Sequence, residues 1–143
     1  MSAILRGGHR GRHASLLAAV LALGVVVAGT TACSDDGPPP LPEAGAFAAG
    51  VCRDLAPDLI ETLRLTQSVP GAADGIATLA RDLVPSQEKL YNQIGAAGEY
   101  AGDLERVTTA VGFLRLRVDA GTYEPALLTE VMTSTRQLVE RCT

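Results

Sequence analysis

Two cysteines, Cys52 and Cys142, stand near the ends of an amphipathic stretch covering residues 46–143, and each falls on an apolar stripe of helical spacing. In residues 99–120, Tyr100, Leu104, Val107, Val111, Leu114 and Val118 recur in alternating steps of four and three, one face of an α-helix. Gly121 follows as a C-cap. Residues 123–142 repeat the spacing with Leu128, Val131, Thr135, Leu138 and Cys142, and Pro125 occupies the first turn, where its missing N–H costs nothing. Residues 46–68 carry Phe47, Val51, Cys52, Leu55, Leu59 and Leu63 around Pro57; residues 71–95 carry Ile76, Leu79, Leu83, Leu90 and Ile94 around Pro85. A proline inside a helix kinks or ends it. Because the apolar register continues across both prolines, each segment is expected to be a kinked helix or two collinear pieces, without reversal. No alternating β-branched run with hairpin signals is present.

The expected fold is therefore all-α, an up-down antiparallel four-helix bundle with kinked first and second helices, joined at Val69-Pro70, Gly95–Gly98 and Gly121-Thr122. With an even number of helices, the start of the first and the end of the last share one end of the bundle. A Cys52–Cys142 disulfide is natural in that arrangement and unnatural with three or five helices. It would close a loop of about 90 residues and stabilise by roughly 4–5 kcal/mol through chain entropy. The alternative is a pair of buried free thiols.

Ahead of this domain, residues 1–13 carry Arg6, Arg10 and Arg12 with no acid, and residues 14–29 (ASLLAAVLALGVVVAG) are uncharged and apolar. That is the layout of a secretory signal, assigned to residues 1–32. Sixteen residues reach about 24 Å as a helix, short of a hydrocarbon core of about 30 Å; an uncleaved anchor would have to extend through Cys33. No adjacent arginine pair marks twin-arginine export. The stretch Gly29-Thr30-Thr31-Ala32-Cys33 resembles the lipobox of bacterial lipoproteins, with Thr30 in place of the usual Leu or Val. The resemblance implies that Cys33 is acylated and becomes the mature N-terminus; cleavage after Ala32 by an ordinary signal peptidase is the alternative. Cysteine parity favours lipidation, because pairing Cys52 with Cys142 leaves Cys33 over. Residues 33–45 then form an acidic, proline-rich tether. SDDGPPPLPEAG favours extended polyproline backbone and spans roughly 35 Å, with a proline-motif ligand as the lesser reading. The bridge is expected at the tether end of the bundle, nearest the membrane.

Cleavage before Cys33 removes three arginines and no acid, leaving 111 residues with nine basic and sixteen acidic side chains, a net charge of −7. Such a surface argues against nucleic acid and anionic headgroups as electrostatic partners. Both histidines, His9 and His13, leave with the signal, so triads, Cys–His pairs and histidine metal sites are excluded from the remainder. No Glu-x-x-His pair suits a di-iron bundle, and the glycines form no phosphate-binding spacing. Asp54, Asp58 and Glu61 share a helix face, best read as a solvated acidic face rather than a carboxylate-based active site. The expectation is a protein that is not an enzyme, with no catalytic residues, no metal and no cofactor.

The most suggestive segment is 110–118, AVGFLRLRV, which is apolar nearly all round because Phe113 and Leu116 lie off the Leu104/Val111/Val118 stripe. The favoured reading buries this helix on two sides, with a kinked neighbour covering Phe113. The other leaves Phe113 and Leu116 exposed as a partner surface flanked by Arg106, Arg115 and Arg117, with Gly102, Thr109 and Gly112 keeping the ridge small.

A lipobox-like Cys33, an acidic proline-rich tether, and cysteines in the first helix and at the C-terminus resemble small lipoproteins of actinobacteria. The Ala- and Arg-rich composition, with Lys89 the single lysine, is similar to that of such high-GC organisms. The resemblance implies attachment to the cell membrane on its extracytoplasmic face and a helical domain. The expected role is a non-catalytic interaction or accessory protein at the cell envelope, its partner an envelope protein. The alternative is a carrier of a small apolar ligand or lipid in the bundle core.

Overall fold

The computed structural model describes residues 37–68 and 73–143, and every regular element among them is helical. Residues 1–32, expected to be a secretory signal, together with Cys33 and the Val69-Pro70 connection lie outside the described residues. Five α-helices follow a one-turn 3₁₀ helix at Ala44–Ala46: α1 (Val51–Gln67), α2 (Ala73–Asp82), α3 (Val84–Gln93), α4 (Ala101–Asp119) and α5 (Pro125–Cys142). Helices α2 and α3 together make the second arm of a four-helix bundle. Helix α1 packs against α3 and α5, and α4 packs against α2, α3 and α5.

The two prolines act differently. Helix α1 runs through Pro57 without interruption, and that residue is exposed, so the Arg53 carbonyl deprived of its intrahelical donor lies on the water side. The second arm divides at Leu83, with Pro85 in the first turn of α3. Leu83 keeps helical torsions (φ −74°, ψ −16°), donates to the Leu79 carbonyl and accepts from the Gln87 amide, so α3 continues from α2 without reversing.

The predicted stripes form the interior. Around the disulfide end, Leu55, Leu59 and Leu63 of α1 meet Leu90 of α3, Leu104 and Val107 of α4, and Leu138 of α5. Toward the other end, Leu79 and Leu83 meet Ala110, Val111, Leu114 and Val131. Between the aliphatic residues lie buried hydroxyls, each bonded to its own helix: Thr62 donates to the Asp58 carbonyl, Thr108 to Leu104, Ser134 to Glu130 and Thr135 to Val131. This pattern lets a polar side chain sit on an apolar stripe without an unpaired donor.

The chain ahead of α1 departs from expectation. The first helix begins at Val51, not at residue 46, because Gly50 adopts φ 83° and closes off the helix start. Residues 39–47, which include the 3₁₀ turn at Ala44–Ala46, form a strap along the groove between α1 and α5. Pro40, Leu41 and Pro42 line this groove with Leu63, Gln67, Arg136 and Val139. The Gln67 side-chain amide donates to the Pro39 carbonyl at 3.2 Å, and Leu41 packs on the core. Phe47 is fully buried, its carbonyl held by Arg53 at 2.8 Å, and the Ala48 amide donates to the Cys142 carbonyl at 2.8 Å. From Pro39 onward the proline-rich stretch is therefore packed against the bundle rather than a free spacer.

Candidate functional site

Helix α4 presents two faces. Leu104, Val107, Val111 and Leu114 are buried, and the opposite ridge consists of Gly102, Thr109, Phe113 and Leu116. Phe113 is 56% exposed and Leu116 61%, which corrects the favoured expectation that a kinked neighbour covers Phe113. The second arm follows the buried stripe of α4 and so leaves the far side of that helix open.

An open apolar groove of about 430 Å³ runs between the ridge and α5, lined by Gly102, Arg106, Ala110, Phe113, Leu127 and Glu130. On the α3 side, Tyr91 is 66% exposed and lines a second, more polar recess with Ile94, Glu105 and Thr109. Tyr91, Phe113 and Leu116 are the large exposed apolar side chains among the described residues, and all three belong to this one α3–α4 side of the bundle.

The arginines near the ridge are engaged within the domain. Arg115 donates from Nη1 to the Gln87 side-chain oxygen at 2.6 Å, and Gln87 in turn donates to the Thr108 carbonyl at 2.9 Å. Gly112 makes room for this link, since a Cβ there would lie 3.2 Å from the Gln87 amide nitrogen. Arg106 reaches Gln137 at 3.3 Å, and Arg117 sits at the α4–α5 turn near Thr122 (3.4 Å) and Glu124 (4.0 Å). Arg115 is thus first a brace between α3 and α4. Sequence spacing gave no sign of this, because its partner lies on another helix.

Cys52 and Cys142 are joined, with Cα atoms 5.3 Å apart, and both are buried. Beside them Arg141 ties the last turn of α5 to the start of α4 through Asp103 and Glu99, and its guanidinium lies 5.1 Å from the Tyr100 ring centre.

The acidic face on α1 is not uniform. Asp54 is exposed, but Asp58 is buried and meets the Lys89 ammonium of α3 at 3.3 Å, so it is a packed ion pair rather than part of a solvated face. The Glu61 carboxyl is held below its usual range by two donated hydrogen bonds from Arg64, at 2.6 and 2.5 Å. Among the described residues no group of three or more His, Cys, Asp or Glu side chains is placed to hold a metal ion, and no helix is long and apolar enough to cross a membrane. Compared with known proteins, the chain matches no family model, no curated protein and no solved structure.

Proposed function

We propose that this protein is a lipid-anchored, extracytoplasmic helical bundle with a non-catalytic interaction or accessory role at the cell envelope, attached through an acylated Cys33. The observation that carries the reading is the exposed ridge. Large apolar side chains left in water on one side of a folded domain mark a contact surface more often than an isolated surface leucine does. The interior is filled by side chains with no exposure, including Leu55, Leu59, Leu104, Leu114 and Leu138, and the open space lies at the surface. This favours a docking module over a carrier that encloses its cargo. Signal layout and cysteine parity supply the anchoring half of the reading.

A photo-crosslinking residue at Phe113 in the membrane-attached protein is expected to yield an adduct with an envelope component. The same residue at Asp54, on α1, should not. Equal crosslinking from both positions overturns the assignment of the surface. Mass spectrometry of the mature N-terminal peptide is expected to find Cys33 acylated; an unmodified Cys33 overturns the anchoring.

The groove beside Phe113 supports a second reading, an apolar-ligand or lipid carrier. At about 430 Å³ it falls within the usual volume of small-molecule sites, and its lining is mainly apolar. A fluorescent fatty acid whose binding is lost in Thr109→Phe, an exposed position on the groove wall where a larger side chain would fill the groove without entering the core, favours the carrier. Binding unchanged by that substitution counts against it.

A further inference from the structure

We infer that the docked strap determines which end of the bundle faces the membrane, and that this is the end carrying the α4–α5 turn, not the disulfide end. The inference rests on the proposed acylation of Cys33 and goes beyond it to orientation. Helix α1 carries Cys52 at its start and Gln67 at its end, so the two lie about 23 Å apart along the helix. Gln67 holds the Pro39 carbonyl, and Ala48 is held by Cys142. The strap therefore runs antiparallel to α1, entering at the Gln67 end and reaching the disulfide only at Phe47 and Ala48. The expectation that the bridge lies at the tether end is reversed, because the proline-rich segment folds back along the bundle before α1 starts.

Chain length turns this path into an orientation. Six residue steps separate Cys33 from Pro39, a reach of at most about 21 Å. Pro39 is held at Gln67, about 23 Å along α1 from the disulfide, so with the strap docked this reach brings the α4–α5 end closer to the bilayer than the disulfide end. Released as far as Phe47, fourteen steps would reach roughly 50 Å and would favour neither end. The strap is built to stay docked: Leu41 is packed on the core, Phe47 is fully buried, and prolines at 38–40 and 42 limit the freedom that release would regain. Phe113 and Leu116, in the last two turns of α4, are then held in the membrane-proximal half of the molecule.

The test uses the full-length acylated protein in vesicles of phosphatidylethanolamine and phosphatidylglycerol, with an encoded fluorescent residue at Thr122 or at Ala96 and a quencher on the lipid headgroups. Both positions are exposed; Thr122 follows α4, and Ala96 neighbours the buried Ala97 of the disulfide-end core. Thr122 is expected to be quenched more strongly than Ala96, and the contrast is expected to be lost in the double variant Leu41→Asp/Gln67→Ala. A long Gly-Ser insertion between Asp36 and Gly37, which leaves bundle and strap intact, should reduce quenching at Thr122 and serves if the double variant folds poorly. Equal quenching at the two positions, stronger quenching at Ala96, or a contrast indifferent to both changes overturns the proposal. Recovery of Cys33 without an acyl chain overturns the anchoring reading and the orientation with it, whereas an acylated Cys33 with equal quenching overturns the orientation alone.

Discussion

Phe113 and Leu114 are adjacent, yet one is more than half exposed and the other fully buried. That contrast sets two opposite expectations for substitution. Phe113→Asp should leave the melting temperature within a few degrees of the parent, since surface changes usually cost no more than about 0.5 kcal/mol, while abolishing the crosslink from a photo-reactive residue placed at Leu116 on the same ridge. A large stability loss would show that the ring is core after all. Leu114→Ala should cost about 2–5 kcal/mol in thermal or urea unfolding, with no partner present. Lys89 and Asp58 are a subtler pair. The ammonium is 66% exposed and the carboxylate largely buried, so Lys89→Ala should cost about 1 kcal/mol, set by what Asp58 loses rather than by the surface lysine. Glu61 gives a pH dependence of known sign. Its folded pKa is depressed by Arg64, so its stabilisation is present above the unfolded value of about 4.3 and is lost as pH falls through the folded value. The stability difference between the parent and Glu61→Gln should therefore shrink in acid, and it should be small throughout because the pair is solvent-exposed.

At the scale of elements, the two prolines show why an apolar pattern alone does not say where a helix breaks. Both interrupt stripes that continue in register. Pro57 faces water within α1 and is absorbed, whereas Pro85 occupies the first turn of α3, where a missing N–H is tolerated. Pro57→Ala should restore a donor to the Arg53 carbonyl and raise stability by about 1–2 kcal/mol, less than the roughly 3 kcal/mol of propensity because the native backbone already accommodates proline. A melting temperature unchanged or lowered by this substitution would contradict the account. The spacing puts Phe47 on the buried side, but the residue belongs to the strap rather than to α1. Gly50 is what separates them, and a positive φ at a glycine leaves no mark on hydrophobic periodicity. Buried hydroxyls are a third such case: Thr135 fits a stripe because its Oγ1 is satisfied by the Val131 carbonyl within the same helix.

At the scale of the whole molecule, the disulfide joins α1 to the end of α5 and closes a loop of 90 residues. Reduction, or Cys142→Ser, should lower unfolding free energy by roughly 4 kcal/mol in urea titration, with a shortfall expected if the unfolded chain retains structure. Sequence by itself determined that the domain is helical, which residues face inward, that the chain returns to its starting end, and that Cys52 and Cys142 can meet. These follow from periodicity and parity, which are local or countable properties. Only the tertiary structure decided that Phe113 stands in water, that Asp58 and Arg115 find partners on other helices, and that the proline-rich segment lies along the bundle as a strap. Each of these depends on which neighbour arrives across space. A helical stripe fixes the direction of one face, but what covers the opposite face is settled by the packing of the other helices.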